Sequence, residues 1–159
     1  MWANGCLSGC CRKHVRHQIS PEMLNPTVPR NVQVLFLVFF AANLLHFVHN
    51  AEYIAFYPGM PNWLTREKVY LAWIAGVSVG LAGLLLSRTR LKVLGLAFIA
   101  LYGATGIDGL AHYMLALCSE HTLAANLTIW FEVLAGLFLL LFAAVAAYRS
   151  AVNPRPALR

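Results

Sequence analysis

Val32-Gln-Val-Leu-Phe-Leu-Val-Phe-Phe-Ala-Ala-Asn-Leu-Leu-His-Phe-Val-His-Asn-Ala-Glu-Tyr-Ile-Ala-Phe56 is the stretch that decides the fold class. A helix that crosses a bilayer needs about 20 consecutive, mostly apolar residues. This run exceeds that and contains no Lys or Arg. Its polar residues are ordered by helical period. At about 100° per residue, Asn43, His46, His49, Asn50, Tyr53 and Tyr57 share an arc of roughly 120°, and Glu52 lies roughly 60° beyond His49. Leu, Val, Phe and Ala fill the opposite face. A helix apolar enough for lipid must turn such a polar stripe toward protein or water.

Three further segments meet the same length and composition, so the expected spans are about 32–56, 69–86, 93–117 and 122–148. None alternates with the two-residue period of a barrel strand. Tyr57-Pro-Gly-Met-Pro-Asn62, Ser87–Arg90 and Cys118–His121 are short connections, and short connections make consecutive helices antiparallel neighbours. The prediction is an all-α, up-down four-helix transmembrane bundle. Ser119 is the expected cap of the fourth helix, with Thr122 three positions on as an imperfect capping box. Gly76, Gly80 and Gly83 on the second helix, and Gly103, Gly106 and Gly109 on the third, are small-residue faces that let backbones approach closely.

Composition excludes the main alternatives. The 159 residues are 60% hydrophobic and 11% charged, against about 45–50% and 25% in a soluble domain. A soluble enzyme, a disordered chain and a disulfide-stapled secreted domain are all disfavoured. The net charge of +6 does not indicate nucleic acid, because no basic, aromatic-interleaved patch is present. Instead the cations cluster beside the apolar runs. Ten of the twelve fall on one side: Arg12, Lys13, Arg16, Arg30, Arg88, Arg90, Lys92, Arg149, Arg155 and Arg159. Arg66 and Lys68 fall on the other. By the positive-inside rule both termini are expected in the cytoplasm, with the bacterial plasma membrane as the simplest home.

The expected organisation is a polar, disordered tail over 1–30, a transmembrane domain over 31–150 and a cytoplasmic tail over 151–159. Residues 1–22 are set apart by their composition, and Met23 is an alternative start. Cys6, Cys10 and Cys11 are candidates for palmitoylation. With His14 and His17 they do not make a recognised zinc spacing.

Chemistry is expected where polarity is costly. Thr105, Asp108 and His112 on the third helix fall within about 60° of arc, and His121, Thr128 and Glu132 on the fourth within about 40°. At about 1.5 Å of rise per residue, His46, Asp108 and Glu132 all lie about 15 Å below the non-cytoplasmic ends, near the midplane. Glu52, Asp108 and Glu132 have no Lys or Arg within any span. A buried carboxylate without a cation is expensive, so it is expected to be protonated or neutralised by a bound cation.

His46, His49, Glu52, Asp108, His112 and Glu132 are accordingly the candidate ligands of a transition-metal ion, with Asn50, Tyr53 and Tyr57 as orienting donors. Haem held between His46 and His112 is the other cofactor reading. The function expected is a multi-pass membrane protein whose His/carboxylate pocket binds a cation or moves protons. The alternatives are an accessory subunit of a larger membrane complex, its polar residues serving as packing glue, and a carrier working as a homo-oligomer. The lipid bilayer is the one partner that composition requires.

Overall fold

The computed structural model describes residues 28–153, whose regular elements are all helical; no strand occurs among the described residues. Helix α1 is Arg30–Glu52, followed by a 3-10 turn at Ile54–Phe56. Helix α2 is Arg66–Leu86. Helix α3, Lys92–Thr105, continues through a 3-10 segment, Gly106–Ala111, into the short α4, His112–Leu115. A 3-10 turn at Cys118–Glu120 precedes α5, Leu123–Val152. Four units are long and apolar enough to cross a membrane: α1, α2, the composite Lys92–Leu115, and α5. The expectations for the cysteines and histidines of residues 1–22 lie outside the described residues.

Each helix packs on two others. α1 and α3 both lie against α2 and α5, and scarcely meet each other. Between them Phe36, Phe39, Leu96, Ile99, Tyr102 and Leu139 form the core. The Phe39 and Tyr102 rings meet edge to face, 4.7 Å between centroids. Leu37, Leu71, Leu85, Leu101 and Leu141 point outward and are exposed. Apolar surface on that scale suits lipid and not water.

Glycines set how closely the backbones approach. A Cβ on Gly103 would stand 2.7 Å from Leu140 N and 2.9 Å from Gly136 O, and one on Gly83 would stand 2.8 Å from Gly95 O. Gly80 rests against the Tyr102 ring. Gly76 meets nothing within 4 Å, so the small-residue face of α2 begins one turn later than the spacing suggests.

The third span departs most from expectation. Its six-residue 3-10 segment is longer than such runs usually are. With three residues per turn, positions three apart eclipse, so Gly106, Gly109 and His112 line up on one face, directly below Gly103. All four are buried. The stripe lies against α5: a Cβ on Gly106 would meet Glu132 O at 3.0 Å, and one on Gly109 would meet Glu132 Oε2 at 3.2 Å. The same change of period places Asp108 about 120° from His112 rather than about 40°. Asp108 and Thr105 are exposed while His112 is buried, which corrects the expectation that all three share a face.

The helix ends differ from the expected spans for local reasons. α5 is capped by Thr122, whose side chain accepts from Ala125 N at 3.1 Å. Ser119 lies within the preceding 3-10 turn and does not cap it. α2 starts at Arg66 because Thr65 caps it, accepting from Lys68 N. After α1 the chain turns at Pro58-Gly59. Gly59 has φ +73°, and a Cβ there would stand 2.9 Å from Leu115 O. A side chain is disfavoured on both counts. Gly59 thus brings the α1–α2 loop against the end of α4.

Candidate functional site

Glu132, on α5, is the centre of the polar interior and is 1% exposed. Its Oε1 accepts a hydrogen bond of 2.5 Å from Asn43 Nδ2 on α1. Its Oε2 faces His46 Nε2, one turn further along α1, at 3.5 Å. Tyr102 on α3 donates from its hydroxyl to Asn43 Oδ1 at 3.5 Å. Asn43 therefore links the carboxyl to a third helix. Gly109 makes room for the group, since any side chain there would press on Oε2.

A second layer lies toward the α1–α2 loop. The His46 and His112 rings meet edge to face at 5.3 Å. Asn50 Nδ2 lies 3.4 Å from His112 Nε2. Because an amide nitrogen only donates, His112 accepts there and carries its proton on Nδ1. The Tyr57 ring stacks on His112 at 5.0 Å, and its hydroxyl shares a hydrogen bond of 2.7 Å with His49 Nδ1. Burial pushes the Tyr57 phenol up to about 12. His121 closes the layer with its ring 6.1 Å from that of His112. Its Nδ1 donates to Leu117 O at 3.0 Å. A carbonyl accepts only, so Nδ1 carries a proton, and Nε2 is buried without a partner.

Three more polar atoms bear on the site. His46 Nδ1, Asn50 Oδ1 and Glu132 Oε2 are also buried without a hydrogen bond. Native interiors leave few such atoms, and each asks for an explanation. All three residues line one cavity of about 270 Å³, with Asp108 and His112. The α1–α2 loop roofs it with Met60, Pro61 and Leu64.

The six candidate ligands divide. His46, His112 and Glu132 come together, and Asp108 borders the same cavity from an exposed position. His49 is engaged by Tyr57. Glu52 is turned away: it is about a third exposed, pairs with Arg66 at 3.1 Å and accepts from Tyr70 at 2.7 Å. Among the orienting donors, Asn50 and Tyr57 are buried in the cluster, whereas Tyr53 is 52% exposed. Among the described residues, no three His, Cys, Asp or Glu side chains converge to hold a metal ion. Haem does not fit between His46 and His112, because rings in edge-to-face contact leave no slot for a porphyrin.

Three members of the cluster lie outside the expected ligand set. Asn43 was legible as part of the α1 stripe but carries no ligand signal. Tyr102 reads as core. His121, expected on the fourth helix beside Thr128 and Glu132, lies in the loop before α5 and reaches the site through its ring contact with His112. Asn126, in the sequon Asn126-Leu-Thr128, has a structural role: it accepts from Tyr113 at 2.8 Å and donates to Cys118 O at 3.0 Å. Comparison with family models, curated proteins and solved structures finds no match to this chain.

Proposed function

We propose that the chain is a multi-pass membrane protein, an up-down bundle with both ends in the cytoplasm, whose working site is the His46–Glu132 centre. That centre accepts a positive charge, as a proton or a bound cation, inside the bundle. One observation carries the reading: a fully buried carboxyl faces a histidine at 3.5 Å and borders a cavity with no Lys or Arg in its lining. Packing glue would not require a cavity there, nor acceptors left without donors.

Anything that binds the folded state alone raises its stability, by about 2.7 kcal/mol at a hundredfold excess over Kd. The test is thermal unfolding in detergent, across a pH series and with added zinc or manganese, together with elemental analysis. Wild-type Tm should respond to pH or to one of the metals, and Glu132→Gln should remove that response while remaining folded. The amide still accepts from Asn43 but cannot carry the charge. Identical responses in the two proteins would defeat the proposal. Near-stoichiometric metal in wild type, lost in Glu132→Gln, would identify the charge as a metal ion.

Topology has its own test. The clustering of Arg30, Arg88, Arg90, Lys92 and Arg149 at one set of helix ends supports the orientation. A reporter active only in the cytoplasm should give signal at either terminus and none when inserted within Pro58–Asn62. A bright insertion in that loop would reverse the assignment.

A further inference from the structure

The lining of the central cavity specifies more than charge. Its polar side is acceptor-rich. Glu132 Oε2 and Asn50 Oδ1 are buried and unpartnered, and the Asp108 carboxylate stands at an exposed edge. His46 faces the carboxyl with Nε2 at 3.5 Å, too loosely for a hydrogen bond, and its Nδ1 is also without a partner. The remaining wall is apolar: Phe47, Met60, Leu64, Val69 and Leu115.

Resting on the cation-accepting reading above, we propose that this cavity binds a primary ammonium ion bearing a compact apolar group. An ammonium offers three donors and no acceptor. Glu132 Oε2, Asn50 Oδ1 and Asp108 offer three acceptors, two of them on carboxyl groups, with no Lys or Arg in the lining to compete. Charge-assisted hydrogen bonds of this kind are the strong ones. The apolar wall receives the organic group. A bare metal ion would leave that wall unused and finds no converging ligand set. A quaternary ammonium has the charge but no N–H for the unpartnered acceptors. An alcohol brings one donor and no charge, and an anion meets two carboxyl groups.

The experiment uses the full chain purified in detergent, titrated calorimetrically with hexylamine at neutral pH. The amine is protonated there, as a lysine side chain is. 1-Hexanol and hexyltrimethylammonium are matched probes that lack the charge and the N–H donors respectively. Hexylamine should bind saturably, one per chain, at least about tenfold more tightly than either control. Glu132→Gln should weaken it by at least about tenfold. Asp108→Asn, at an exposed position, should weaken it several-fold without moving Tm. Hexanol binding as tightly as hexylamine would overturn the assignment, as would wild-type affinity in both folded variants or no saturable binding at all. If Glu132→Gln loses the proton or metal response while hexylamine fails to bind, the cation-accepting centre stands and the ammonium assignment falls. If neither response is present, both fall.

Discussion

Replacing His46 with Leu is expected to destabilise the bundle by about 3–5 kcal/mol, the usual consequence of removing one partner from a buried pair. The Glu132 carboxyl, 1% exposed, would keep only Asn43. The double variant His46→Leu/Glu132→Leu should recover most of that loss, because removing both partners leaves nothing uncompensated. The expected order of Tm in detergent is therefore wild type, then the double variant, with His46→Leu clearly lowest. A double-mutant cycle reads the coupling directly. Independent, additive effects would show that the two side chains do not meet. The same pair of variants separates stability from function: the double variant should fold yet show no response to protons, metals or amines.

The second large effect is steric. Gly136 sits where α5 crosses the third span, and a Cβ there would lie 2.6 Å from Gly103 O, 3.0 Å from Phe39 Cε2 and 3.1 Å from Gly106 Cα. Two of those three atoms are backbone and cannot swing aside. Gly136→Leu should push α5 away from α3, and overpacking of this kind costs about 3 kcal/mol or somewhat more. For a chain of this size that lowers Tm by roughly 10 °C. Gly76→Leu is the control, since nothing lies within 4 Å of its added Cβ; its Tm should stay within a degree or two of wild type. Equal effects at the two positions would contradict the α3–α5 contact. Because Gly106 and Gly109 abut Glu132, Gly136→Leu should also disturb the polar centre, and its cation response should weaken with its stability.

The two predictions meet at the element hardest to read in advance. A wheel turned at about 100° per residue put Asp108 and His112 side by side. The 3-10 segment Gly106–Ala111 separates them. The clue was present as three glycines spaced by three, Gly103, Gly106 and Gly109, with His112 three further on. That spacing is an ordinary packing stripe on an α-helix and a straight line on a 3-10 helix. Only the close approach of α5 selects the second, by giving the eclipsed glycines a backbone to lie against. Glu52 teaches a related lesson. Its place on the polar side of α1 is a matter of period, but its partner is Arg66, which a different helix brings within reach.

Composition and period alone establish the four apolar helices and the polar stripe of α1. In lipid each backbone N–H and C=O must be satisfied within its own helix, so a long apolar run has one stable form whatever its neighbours do. The rise per residue also suffices to bring His46 and Glu132 to matching depth, because depth depends on helix geometry and not on rotation. Azimuth is different. Which polar groups face one another depends on how each helix is rotated and where its period changes, and those follow from contacts between helices. The meeting of Asn43, Tyr102 and Glu132, the turning out of Asp108 and Glu52, and the formation of a cavity beside His46 are therefore decided by tertiary packing.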